Sequence, residues 1–317
     1  MLKYRDGPSD GQLHGFKFVT YNENYKMTIM KFTKSISLGA VSFFLVTSAA
    51  FAQTTSGKLT LTKGQKLQID NDIQSVINQE MAGQKIEFTV GAHLVHNVEV
   101  KDKKDKSYVV ASTLTKLATN GNVMGNSISF DSDKKEDMES ETGKALQDQL
   151  NVTRDVEFGE NAKVINGVKQ EEKPSTGSQI LDMVNNVTGA GNDESNGATA
   201  AFEVMPQGKK VGDSWADSII TDEIKTYRNY TLKEVKGNTA TLVITGKQLT
   251  NKKVEQQGMQ ITVNMEGKLS GEGLVDMKTG ILQERTLTMD GTGTAEFMEQ
   301  SIPMTTKVTT KTTVKTI

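Results

Sequence analysis

Between Leu67 and Val100 the chain alternates apolar and polar residues with a period of two. Leu67, Ile69, Asn71, Ile73, Ser75, Ile77, Gln79 and Met81 share one parity. Gln68, Asp70, Asp72, Gln74, Asn78 and Glu80 share the other, with Val76 as the exception. After Ala82-Gly83 the alternation resumes, with Ile86, Phe88, Val90, Ala92, Leu94, His96, Val98 and Val100 on one face. Lys85, Glu87, Thr89, Gly91, His93, Asn97 and Glu99 fall on the other. This period predicts two strands, each with one buried face, and the face of the second carries Phe88 and Leu94. A strand of about 15 residues is about 50 Å long at about 3.3 Å per residue, against a usual five or six residues. Strands of that length predict a strongly twisted, curved sheet, with Gly91 a candidate bend.

The same pattern returns nearer the C-terminus. Met259, Ile261, Val263, Met265, Gly267 and Leu269 oppose Gln260, Thr262, Asn264, Glu266 and Lys268. In "MTTKVTTKTTVKTI", Met304, Val308 and Val314 oppose Lys307, Lys311 and Lys315, so β-branched residues fill the strand while lysines keep its outer face soluble. Turns are predicted at Lys236-Gly237-Asn238 and Lys278-Thr279-Gly280. Helix is sparse. Glu139 to Leu150 is one candidate, and Ser178 to Val187 a better one, with Ser178 as cap and Ile180, Leu181, Val184 and Val187 as the apolar stripe. "TGAGNDESNGAT" (188–199) reads as a flexible linker.

That linker separates two related stretches. "HNVEVKDKKDKSYVVASTLTKL" (96–117) lies over "RNYTLKEVKGNTATLVITGKQL" (228–249) without a gap. "GNSISFD" (125–131) lies over "GMQITVN" (258–264), and "KGQKLQID" (63–70) sits where "VGDSWADS" (211–218) sits. Three segments in one order predict a mainly β fold of long curved antiparallel hairpins in two duplicated halves, 57–168 and 201–317, with one or two short helices. Residues 169–200 then hold a helix and the Gly/Asn-rich linker.

The start of the chain concerns location. "MKFTKSISLGAVSFFLVTSAAFAQTTSG" begins at Met30, with Lys31 and Lys34 as a basic start, Ile36 to Val46 as an apolar run and Ala50-Phe51-Ala52 as a small-x-small cleavage site. The run is shorter than the about 20 apolar residues that a membrane span needs. Residues 30–52 are therefore read as a signal peptide, Gln53 as the first mature residue and 1–29 as a segment upstream of the true start. The protein is expected to be exported, periplasmic or extracellular, and soluble after cleavage.

Composition narrows the classes further. There is no Cys, so the fold holds together without disulfides. Removing the six Lys/Arg and three Asp/Glu of residues 1–52 from totals of 37 and 39 leaves 31 against 36, a mild net charge of −5. Nothing in that balance points to nucleic acid as a partner.

"LTKGQKLQID", "GKKVGDSW", "GLVDMKTGIL" and "FMEQSIPMTTK" together resemble a family of exported proteins of Bacteroidota that is known only as a domain of unknown function. The resemblance covers most of residues 57–317. It implies a β-rich protein of the periplasm or outer membrane and supplies no catalytic residues. Many members resemble lipoproteins; this chain lacks the Cys that would carry the lipid.

Candidate chemistry is thin. His93 and His96 are three apart, so on a strand they face opposite ways and do not chelate one metal. Asp131-Ser132-Asp133 opens like a calcium loop, but Lys135 and Glu136 stand where ligand and glycine are needed. There is no GxSxG, phosphate loop or zinc pattern, so the chain is read as a non-enzyme without cofactor. Trp215 is expected to open a strand and anchor a core. Long one-sided strands with little helix to cover them leave a wide apolar face. Met81, His96, Met259 and Met265 are the residues expected to line an apolar cleft there, Met being suited to irregular shapes. Two readings follow: a binding module for a lipid or other apolar ligand, and a structural or assembly protein that binds an envelope protein partner. The bland alternative is that the two halves bury these faces against each other. An outer-membrane barrel is disfavoured, because aromatics are only 6% and the polar faces carry Lys and Glu.

Overall fold

A computed structural model describes residues 56–81, 83–123, 126–147, 149–167, 195, 197–256, 259–297 and 300–317. The signal peptide expected at 30–52, the segment before it and the helix expected at 178–187 lie outside the described residues, as does most of the linker.

Among the described residues the fold is mostly β, with twelve strands in one antiparallel sheet and two short helices. The alternating stretches become β1 (Lys66–Met81), β2 (Gln84–Lys103) and β3 (Ser107–Val123). β4 (Asn126–Asp131), β5 (Thr153–Gly159) and β6 (Val164–Asn166) complete the first part of the chain. β7 (Ser214–Ile220), β8 (Ile224–Lys236), β9 (Thr239–Gln256), β10 (Met259–Asp276), β11 (Leu282–Phe297) and β12 (Gln300–Thr316) follow. The strand order is β6-β5-β3-β2-β1-β12-β11-β10-β9-β8-β7, with β4 on the far half of β3. The first long strand pairs with the last, from Leu67↔Thr316 to Gln79↔Met304.

The sheet rolls up. One core joins Val156 and Phe158 of β5 to Tyr230 and Leu232 of β8, strands near opposite edges. Lys163, just before β6, reaches Asp217 of β7 at 3.5 Å. Glycines permit the coiling: a Cβ on Gly246, Gly271 or Gly293 would press into the neighbouring strand's backbone, 3.1, 2.9 and 2.8 Å from the Cα atoms of Arg228, Leu287 and Met265. Gly91 plays another part. The ladders run through it unbroken, and β2–β3 shifts register at Val95/His96 and Val100/Asp102.

One end of the roll is sealed. Leu59 donates its N–H to Glu160 O (2.6 Å), Thr60 to Thr279 O (2.9 Å), and both Leu59 and Leu61 are buried. A strap at 197–205 crosses the same end. It contains a 3-10 turn at Ala198–Ala201, and Phe202 bridges to Ile281 and packs edge-on to Phe158 at 5.3 Å. The Gly/Asn-rich linker thus ends in a packed turn, because Ala198 and Ala201 are buried in the core.

The helix expected from Glu139 to Leu150 is two shorter ones, α1 (Lys135–Glu139) and α2 (Glu141–Leu146). Extended Ser140 separates them and accepts a hydrogen bond from Gly143 N (3.2 Å), the geometry of an N-cap. Leu146 and Leu150 pack on Ile73, Leu94, Leu114, Leu117 and Phe130, forming a second core over β1–β4. Leu94 is buried as expected, whereas Phe88, nearer the hairpin tip and outside that cover, is half-buried.

The stretches that overlay in sequence form corresponding hairpins. Val100↔Val110 and His96↔Leu114 of β2–β3 stand where Leu232↔Leu242 and Arg228↔Gly246 of β8–β9 stand. Both hairpins leave a residue out of the ladder at the overlaid position, Lys101 and Lys233, and β2–β3 also leaves out Thr115.

Candidate functional site

The inner face of the rolled sheet carries the residues that alternation assigned to the buried side, and it has three regions. The sealed end is a dense core. α1 and α2 cover a second. The third crosses β10, β11, β12, β1 and β2 and belongs to neither core: Val263, Met265, Met289, Ile302, Ile77 and Phe88 are all half-buried.

Pairing shows how this band is assembled. Met265 stands opposite Gly293, Gly293 opposite Met304, and Met304 opposite Gln79. Two residues nearer the sealed end, Gly267 faces Gly291 across β10–β11. The two methionines lie over these glycines: the Met265 Sδ occupies space 2.9 Å from where a Cβ on Gly291 would be, and the Met289 Cγ 2.8 Å from one on Gly267. A glycine-floored hollow is therefore filled by two unbranched, flexible side chains.

Below the band lies a charged group. Arg228 donates to Asp217 (3.1 Å), which also meets Lys163, and Arg285 pairs with Glu203 of the strap (3.4 Å). The Arg228 and Arg285 side chains are each only 16% exposed. Trp215 opens β7 as expected and stacks flat on Tyr230, centroids 5.5 Å apart. The Arg228 guanidinium lies 5.6 Å from the Tyr230 ring centre. Burial pushes the Tyr230 phenol well above its usual range, and the nearby Glu203 carboxylate acts in the same direction. Burial alone would lower the Arg228 pKa, but neighbouring Tyr230, Glu203 and Asp217 outweigh it and raise it, so this side chain is a fixed cation.

The four expected cleft residues do not form one cluster. Met265 is on the band. Met81, at the end of β1, and Met259, at the start of β10, lie toward the hairpin tips, paired with Gln84 and Gln256. His96 pairs with Ile69 and Leu114, ten residues along β1 from the Gln79 row, so about 33 Å away at about 3.3 Å per residue. It is 6% exposed and lies under the strap, where a Cβ on Gly197 would come 2.5 Å from its Nε2. His93 faces outward as expected, 2.8 Å from Asp72. Met289 and Arg228 were missed, although alternation shows both: Leu287, Met289 and Gly291 share one parity of β11, and Arg228, Tyr230 and Leu232 one of β8.

The outer face holds an open groove of about 670 Å³ over β9–β11. Its carboxylates are already engaged, Glu272 with Lys233 (2.7 Å) and Glu284 with Lys311 (3.4 Å). Among the described residues no group of three His, Asp or Glu is placed to hold a metal ion, and no helix is long and apolar enough to cross a membrane.

These features define a class of mostly β proteins built on one rolled antiparallel sheet with an apolar inner band. The chain belongs to a family of unknown function, DUF6263, whose family model matches residues 105–282. No curated protein matches it. Among solved structures, an outer membrane channel from Pseudomonas putida F1 is similar at 6% identity, over 81% of this chain and 98% of that one, with a TM-score of 0.23. A DUF1329 family protein from Desulfovibrio piger is similar at 7% identity, over 77% and 84% of the two chains, with a TM-score of 0.15. TM-scores this low do not establish a shared fold.

Proposed function

We propose that the protein is a non-catalytic carrier or binding module that holds an elongated apolar ligand, such as an acyl chain, against its inner face. The half-buried band over Gly267 and Gly291, outside both cores, carries this reading. Apolar surface of that kind is seldom left bare on a soluble protein. Met265 and Met289 can swing aside as a chain enters. The outer wall is water-facing: Lys307–Asp290 (3.8 Å), Lys311–Glu284 (3.4 Å) and Lys315–Asp70 (3.9 Å) pair along the length of β12. Such a wall disfavours a lipid-embedded barrel. The test is saturable binding of a fluorescent fatty acid, which Met265→Lys should weaken while leaving the urea midpoint near wild type. If wild type binds no probe and Met265→Lys unfolds the protein, the band is closed core and the reading fails.

A second reading, attachment of an envelope protein partner, draws on the free edge of β7. Ile219 and Ile220 there are 51% and 60% exposed, with no Lys or Pro among residues 214–220 to guard the strand. Ser218→Pro should abolish such attachment, and a partner retained by that variant would rule out β7 as the docking edge.

The site of action proposed is outside the cytoplasm, in the envelope of a bacterium of the Bacteroidota, as the 30–52 segment and the quoted motifs suggest. N-terminal sequencing should give Gln53 or a neighbour, and recovery of residues 1–29 on the mature protein would overturn it. Duplication of one unit is proposed for the two halves, on the matched registers and the matched unpaired residues Lys101 and Lys233. A profile built from residues 63–131 of relatives should detect residues 211–264, and no match would count against it.

A further inference from the structure

The lower edge of the apolar band meets the charged group in a single row of paired residues. Arg228 pairs with Gly246, Gly246 with Leu269, Leu269 with Met289, and Met289 with Val308. Gly246 has no side chain, so that row carries none between Arg228 and Leu269. Arg228 and Lys163, the latter 63% exposed in its side chain, share Asp217, and Arg285 holds Glu203. One donor also lacks an acceptor among the described residues: Arg228 Nε is buried with no hydrogen-bond partner there. Buried donors left in this state cost stability unless something accepts from them.

We propose that the ligand of the inner band is an anionic amphiphile whose carboxylate binds at Arg228 while its chain runs along Leu269, Met289 and Met265 toward the hairpin tips. This rests on the carrier reading given above. A carboxylate offers charged oxygen acceptors to the free Arg228 Nε and matches the planar guanidinium. From Leu269 to Val263 the band runs about 20 Å, six residues at about 3.3 Å each, the reach of a long-chain fatty acid. An alcohol of the same chain would fill the band equally and offer Arg228 Nε only a neutral acceptor.

The test compares palmitate with 1-hexadecanol on the full-length mature protein, by displacement of a neutral fluorescent acyl probe. Palmitate should bind about tenfold or more tightly than the alcohol, the effect of a charge-assisted hydrogen bond in a shielded site. Arg228→Met should remove that advantage and leave the alcohol within about twofold of wild type, whereas Arg228→Lys should keep part of it. Should Arg228→Met fail to fold, the wild-type comparison and Arg228→Lys still decide the matter. Equal binding of acid and alcohol to wild type overturns the headgroup site and leaves the carrier reading standing. Binding of neither compound, nor of the probe, sinks both.

Discussion

Two glycines on one strand offer a sharp check on the rolled geometry. Gly271 and Gly273 lie two residues apart on the inner face of β10, paired with Leu287 and Arg285 of β11. A methyl group at Gly271 would press into the Thr286 carbonyl oxygen and sit 2.9 Å from the Leu287 Cα. Both atoms are backbone of the adjacent strand, so relief requires β10 and β11 to separate. At Gly273 the nearest atom would be the Glu284 carbonyl oxygen at 3.7 Å, an ordinary contact. Gly271→Ala should therefore cost about 1–3 kcal/mol, the usual penalty for forcing volume into packed structure. Gly273→Ala should be neutral or stabilise by about 0.4–1 kcal/mol, because alanine narrows the unfolded ensemble. Urea titration of both variants with wild type measures the difference, expected at about 1–4 kcal/mol. Equal effects at the two positions would show that the sheet is flatter at this point than described, and that the glycines mark composition rather than curvature.

The strap and the turn beside it make further expectations. Phe202→Ala, which empties a buried site against Phe158, should destabilise by about 3–5 kcal/mol in the same titration; a loss under about 1 kcal/mol would mean that the strap is not part of the core. Asp276 is partly desolvated, which by itself raises its pKa, but hydrogen bonds from Thr279 N (2.8 Å), Thr279 Oγ1 (2.8 Å), Asn238 Nδ2 and Lys278 N (3.0 Å) outweigh this and lower it. A carboxyl with a depressed folded pKa stabilises above its unfolded value, about 3.9, and loses that contribution as pH falls through the folded value. Urea midpoints of wild type and Asp276→Ala should thus differ at pH 7 and converge below about pH 4, and a constant gap down to pH 2.5 would contradict the assignment.

Much of the wall was legible from alternation alone. Because side chains on a strand point to opposite faces in turn, the parity of residues 67–81, 86–100 and 259–269 assigned the inner face without knowledge of partners. The turns at Gly237 and Gly280 were equally legible, since both residues adopt positive φ, which glycine takes without strain. The α1–α2 break at Ser140 was not, because its capping competes with a helical pattern that continues on both sides.

The sequence by itself determined strands, faces and tight hairpins, all of which depend on neighbours a few residues away. Tertiary structure alone decided which parts of the inner face are sealed. Pairing of β1 with β12, the strap over His96 and the meeting of Lys163 with Asp217 each join residues far apart in the chain. Period-two alternation marks His96 and Met265 alike as inward-facing, and only the rolling of the sheet places one beneath the strap and the other on the half-buried band. The physical reason is that alternation records which side of a strand avoids water, whereas burial at a given position depends on what the rest of the chain lays over it.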